Sequence, residues 1–94
     1  MAEQPKSKRT LFSEAGNLEA DFADGSVEAG VQLASLYLSS PVFGGQYKNR
    51  AACILTCLLS HHREARRLMA YCHLYGVGVS RRDVELSREL LRQL

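Results

Sequence analysis

The chain has 94 residues, of which 46% are hydrophobic and 23% charged, with two prolines and a formal charge of +2. That profile fits one small globular domain and excludes a low-complexity chain. No run approaches the roughly 18 apolar residues a membrane helix needs, and the opening "MAEQPKSKRT" has basic charge without the apolar stretch of a secretory signal.

In chain order, residues 1–10 read as a disordered basic tail and residues 11–94 as one helical domain. A first helix is expected over Leu11–Ala23, ended by "DGS", and a second over Val27–Ser39, ended by "SSPVFGG". A third covers Tyr47–Ser60, a fourth Arg63–Tyr75, and a last one Arg81–Leu94 after the break "GVG". Gly and Pro fall where the chain must reverse. Gly16 and Gly30 lie inside helices, which close approach of a neighbouring helix would justify. Cys53, Cys57 and Cys72 are an odd number in a chain without a signal, so a reducing, cytoplasmic setting is expected rather than a disulfide framework.

Charge is unevenly distributed. Residues 11–45 hold five acidic and no basic side chains, giving −5, while residues 46–94 hold nine basic against four acidic, giving +5. Such polarity suits charge-guided association, with an acidic partner or with further copies of the chain.

The strongest pattern is internal repetition at an offset of 36. It carries Glu28 onto Glu64, Ala29 onto Ala65, Leu33 onto Met69, Ala34 onto Ala70 and Leu38 onto Leu74. The same offset carries Ala15, Leu18, Glu19 and Phe22 onto Ala51, Ile54, Leu55 and Leu58, and these onto Ser87, Leu90, Leu91 and Leu94. Each set is spaced i, i+3, i+4, i+7, the mark of one helical face. The fold class that follows is all-α: an antiparallel helix pair present twice with a half-unit before it, forming a short α-solenoid of about 2.5 repeats.

The second unit, "EARRLMAYCHLYGVGVSRRDVELSRELL", resembles a Sel1-like repeat, a relative of the tetratricopeptide repeat. That pattern runs A-x-x-x-L-G-x-x-Y-x-x-G-x-G-V with an Asp and an Ala following. Ala65 matches the alanine, Met69 the leucine, Ala70 the first glycine, and Gly76, Gly78 and Val79 the G-x-G-V. Asp83 takes the acidic position one residue late and Ser87 replaces the second alanine. His73 stands for the tyrosine, and the first unit shows "SSPVF" where G-x-G-V belongs. The resemblance implies a protein-binding scaffold or adaptor without catalytic machinery or cofactor. It also implies that Arg67, Tyr71, Leu74 and Tyr75, with Val31, Ser35, Leu38 and Ser39 of the first unit, line an inner surface.

Other chemistries have weaker sequence support. "YGVGVSRRD" lacks the Lys-Ser/Thr of a phosphate loop and the third glycine of a dinucleotide fingerprint. Gly76 is placed to end a helix in the left-handed conformation, and Ser80 with Asp83 to cap the next. The cysteines and His61, His62 and His73 form no paired metal-ligand spacing, so no metal site is expected. Cys72 and His73 are adjacent on a helix, point about 100° apart and cannot form a dyad; no enzyme activity is expected.

Two functional readings remain. The first is a non-catalytic protein or peptide-binding module, a cytoplasmic adaptor, small regulator or chaperone-like binder, whose site is Val31, Ser35, Leu38, Arg67, Tyr71, Leu74 and Tyr75. On the bland alternative, Tyr71 and Leu74 only fill the seam to the last helix. The second is a small nucleic-acid-binding regulator using the C-terminal arginines, although these scatter around the helical wheel. Leu90, Leu91 and Leu94 are expected to form an exposed end that self-associates or is capped by a partner.

Overall fold

The computed structural model describes residues 7–94. They form five helices, α1 (Lys8–Ala23), α2 (Val27–Ser39), α3 (Gly45–Leu58), α4 (Arg63–Tyr75) and α5 (Val84–Arg92), with no strand among the described residues. The chain is therefore all-α. Among the described residues no helix is long and apolar enough to cross a membrane.

Capping chemistry sets the boundaries. Ser7 Oγ accepts from the Thr10 N–H, so α1 begins three residues before the expected Leu11 and takes in Lys8, Arg9 and Thr10. The remainder of the basic tail lies outside the described residues. Ser26 caps α2 through the Ala29 N–H. Gly44 precedes α3, which starts and ends two residues earlier than expected. The expected Ser80 cap is displaced: Asp83 accepts the Leu86 N–H, and α5 starts at Val84 rather than Arg81. Both residues are good N-caps. The intervening turn is drawn onto α3 and cannot wind into the helix.

Consecutive helices pack as neighbours, and α2 also touches α4. The described residues measure 38 × 29 × 27 Å. Leu33, Ala34, Ala51, Leu55, Ala65 and Cys72 are completely buried at the centre. Gly30 lies where α2 meets Phe22 and Leu58; an added Cβ would fall 2.6 Å from the Phe22 ring, so close approach is its role. Gly16 has nothing within 4 Å, and no close approach explains it.

The segment "SSPVFGG" does more than break a helix. Phe43 inserts into the core at 2% exposure and meets Phe12, Tyr37 and Tyr47 at ring-centroid separations of 4.8, 4.9 and 5.2 Å. Lys48 Nζ reaches back to the carbonyls of Leu38 and Ser40 at 3.4 and 3.2 Å, and also to that of Tyr37. A lysine there satisfies the orphan carbonyls at the end of α2 and complements the negative end of its dipole.

Candidate functional site

The expected binding residues come together along the exposed sides of α2 and α4. Ser35, Leu38, Ser39, Arg67, Leu68 and Tyr71 line one depression of about 290 Å³ between the two helices. A second, of about 370 Å³, adjoins it through Ser35, Ser39 and Leu68 and extends to Val31 and Gln32. A third, of about 180 Å³, shares Arg67 and Tyr71 and continues past Leu74 and Tyr75 to Ser87 and Leu91 of α5. Because they share lining residues, the three form one continuous shallow surface.

Local geometry explains why α4 presents this surface. Ala65, Leu68, Met69 and Cys72 face the core at the i, i+3, i+4, i+7 spacing, so Arg67 and Tyr71 turn away from it. Tyr71 is 42% and Tyr75 64% exposed, with their rings 5.0 Å apart. Both tyrosines are therefore surface residues. Leu74 is half-buried beside α5, and there the seam reading describes the packing better. Val31 is only 6% exposed, so it forms floor and core together, not a free contact.

Electrostatics refines the part given to Arg67. Its Nε donates to both Glu64 carboxylate oxygens at 3.0 Å, and an Nη donates to the same group. Those hydrogen bonds hold the Glu64 carboxyl below its ordinary range and raise the guanidinium further. The pair is exposed, so Glu64 is a competitor any acidic partner must displace or share. His62 ties α4 to α2. Its Nδ1 accepts the Glu64 N–H at 3.2 Å, which leaves the ring proton on Nε2 to donate to Glu28 at 2.8 Å.

The three leucines of the expected terminal face separate. Leu90 is 6% exposed and belongs to the core, which corrects its place in an open face. Leu91 and Leu94 are 47% and 38% exposed. Adjacent helical residues diverge by about 100°, so the face that packs on α4 takes Leu90 and leaves Leu91 at its edge. Leu86, at 41%, is a further exposed apolar residue that the leucine set did not include.

The glycine turn resolves as a helix connection. Gly76 is left-handed with φ 69° and its N–H returns to the Cys72 carbonyl, as does that of Val77. The Asp83 N–H is taken by the His73 carbonyl. Gly78, at φ 72°, presses its Cα against the Lys48 carbonyl of α3. The amides of Gly76, Val77 and Asp83 are thus spent on α4, and Gly78 packs the turn against α3.

Among the described residues no group of three or more His, Cys, Asp or Glu side chains converges as a metal site. Cys72 is fully buried, and desolvation pushes its thiol up to about 11, the behaviour of a small hydrophobe. Cys53 and Cys57 are exposed on α3. A larger depression of about 530 Å³ on the outer face of α5 is lined mainly by charged side chains, Asp83, Glu85, Arg88, Glu89 and Arg92, with Leu86 as its one apolar residue. Comparison with protein-family models and with curated proteins gives no match.

Proposed function

We propose that the protein is a non-catalytic binding module of the Sel1-like, tetratricopeptide-like kind, a short α-solenoid whose α2–α4 surface takes a protein or peptide partner. The repeat reading is supported by burial at equivalent positions. Ala29 and Ala65 are 5% and 0% exposed, Leu33 and Met69 0% and 5%, and Ala34 and Ala70 0% and 2%. Ala15, Ala51 and Ser87 follow at 3%, 0% and 2%.

The observation that carries the binding reading is the single depression holding Ser35, Leu38, Arg67 and Tyr71. Its lining presents exposed Tyr71 and Arg67, residue types enriched at interface anchor points, beside half-buried Leu38 and buried Leu68. Cationic Arg67, and the +5 charge of residues 46–94, favour an acidic partner, with association that weakens as salt rises.

The nucleic-acid reading gains less. Arg67 and Arg92 are engaged by carboxylates of their own helices, and Arg66 donates to the Leu59 carbonyl at 2.9 Å. A cytoplasmic adaptor, regulator or chaperone-like binder remains the functional class we infer.

The test is affinity capture with the intact chain against an Arg67→Glu/Tyr71→Ala double variant of unchanged helicity. Partners held by the intact chain and released by the variant are expected. Identical capture by both chains overturns the assignment of the surface. Tight, steeply salt-dependent binding of random duplex DNA overturns the module class itself.

A further inference from the structure

His62 stands between two helices and makes a different kind of contact with each ring nitrogen. Nδ1 accepts the Glu64 N–H at 3.2 Å and so caps α4, while Nε2 lies 2.8 Å from Oε1 of Glu28 on α2. An acceptor at Nδ1 and a donor at Nε2 together define one neutral tautomer. The His62 side chain is 21% exposed, and neighbouring His61 is engaged elsewhere, its Nδ1 2.9 Å from the Ser60 Oγ. Asn, Asp and Ser are the usual caps, and each keeps its acceptor at neutral pH. An imidazole keeps its acceptor only while uncharged, and it is the side chain whose charge changes between about pH 5 and 8.

Protonation cannot leave this arrangement as it is. The added proton goes to Nδ1, because Nε2 already carries one, and Nδ1 then meets the Glu64 N–H as a second donor. The positive end of the α4 dipole adds to the push off the cap. The charged and titratable groups around the ring are Glu28 from α2, Arg63, Glu64 and Arg67 from α4, and His61 before it; Leu94, past α5, shares a depression with His62, Arg63, Glu64 and Arg67 and is apolar. Glu28 is already taken by Nε2, and the two arginines have no acceptor to offer. The acceptor left is the Glu64 carboxylate, which lies near enough to feel a charge on His62. That carboxylate is the group that binds Arg67 through Nε and an Nη.

We propose that His62 is a proton-operated latch on α4. Uncharged, it caps the helix and leaves Glu64 to Arg67. Protonated, it gives up the cap and shares the Glu64 carboxylate, which loosens the hold on Arg67. Glu64 and Arg67 both line the α2–α4 surface, so the latch makes the guanidinium more available to an acidic partner as pH falls. That consequence rests on the binding reading above, whereas the latch itself belongs to the free chain.

The test is a titration of the isotope-labelled full chain, without ligand, from about pH 8 to about pH 5.5. The ring signals of His62 report its protonation directly. The Glu64 amide and Arg67 Nε–H signals are expected to move with the same midpoint. Exchange of the Glu64 amide, corrected for its intrinsic pH dependence, should quicken about fivefold as the cap is lost. Glu64 does not itself titrate in this window, since Arg67 holds its carboxyl below the ordinary range. His62→Asn keeps a capping acceptor and should fold, and both signals should stay flat in it; His61→Gln should leave the coupling intact. A Glu64 amide that stays unmoved while His62 titrates overturns the latch. So does coupling that survives in His62→Asn or vanishes in His61→Gln. In affinity capture, partners of the intact chain should be retained better at about pH 6 than at about pH 8, and equally at both by His62→Asn. Capture that ignores pH while the free-chain signals move overturns the link to recognition. Absence of capture overturns the surface reading, and the free-chain signals still decide the latch.

Discussion

Replacing Gly78 by alanine measures how firmly the α4–α5 turn is docked on α3. An added Cβ would lie 2.3 Å from the Lys48 carbonyl oxygen and 2.9 Å from its carbon, both backbone atoms. Neither can rotate away, so the turn or α3 must shift. Holding an L residue at φ 72° costs about 1–2 kcal/mol, and relieving the overlap adds about 1–3 kcal/mol. Reduced freedom of the unfolded chain returns about 0.5–1 kcal/mol. The net expectation is a loss of about 1–4.5 kcal/mol, about 3 kcal/mol at the centre of the range, a large part of the total for a small domain. Gly76→Ala is the control: φ is 69°, but the nearest atom lies 3.4 Å away, so only the backbone term applies, about 1 kcal/mol after the same correction. Urea unfolding followed by far-ultraviolet circular dichroism reads the difference. With a slope of about 1–1.5 kcal/mol per molar, a loss of about 3 kcal/mol lowers the midpoint by about 2–3 M. Equal losses for the two variants, within about 0.5 kcal/mol, would refute the docking of Gly78 on Lys48. They would also remove the physical reason given for the late start of α5.

Leu90→Ala should cost about 2–4 kcal/mol and Leu91→Ala under about 1 kcal/mol, because only the former empties a core site; urea midpoints of the two would separate them. Ser87→Ala should cost less than about 1 kcal/mol although Ser87 is buried, since its Oγ donates at 2.7 Å to an Ala70 carbonyl that lies within α4 and keeps a helical partner. Two of the three thiols, Cys53 and Cys57, should react with an aromatic disulfide reagent in the native state, and Cys72 only on unfolding; three fast thiols would contradict its burial. Glu64 should titrate below the ordinary carboxylate value because Arg67 hydrogen-bonds its charged form. The pair's small contribution is thus complete above about pH 4.3 and is lost as pH falls through the depressed value. Carbon-detected titration should find the shift abolished in Arg67→Ala.

Much of the fold was legible because helix periodicity and caps are local. Both ends of α2 and α4 follow from Ser26, Gly76 and the apolar spacing. The start of α5 did not follow, because Ser80 and Asp83 are both competent caps and the choice depends on a contact across the fold. Phe43 was passed over as part of a break. Its signal was available: an aromatic residue between helices that also carry Phe12, Tyr37 and Tyr47 has an apolar surface to bury. The role of Lys48 had no such signal, since its carbonyl partners lie eight to eleven residues earlier and only the α2–α3 reversal brings them near. At the candidate site, periodicity separates the core stripe of α4 from the rest but does not tell an open face from one that a neighbour covers. That is why Leu90 and Leu91 stood together in sequence and part in the structure.

The offset of 36 also shows where packing stops dictating residue choice. At buried positions the two units keep similar volume: Ala29 and Ala65, Leu33 and Met69, Ala34 and Ala70. At solvent-facing positions they diverge, from Ser35 and Ser39 to Tyr71 and Tyr75, and buried Val31 gives way to exposed Arg67. A core position constrains size because a cavity or an overlap costs several kcal/mol. An exposed helical position constrains little, and a large aromatic there leaves apolar area in water at about 25 cal/mol per Å². Exposed Tyr71 and Tyr75 beside Leu91 are therefore an expense the fold itself does not require. A ligand that covers them supplies the compensating burial. On this reasoning the specificity of the module lies in residues where the second unit departs from the first, and the shared residues supply only the scaffold. Transplanting the first unit's residues, as Arg67→Val/Tyr71→Ser/Tyr75→Ser, should leave the stability within about 0.5 kcal/mol of the parent, or raise it slightly, while abolishing capture of the partner held by the intact chain. A triple variant that still binds would place recognition outside this divergent face.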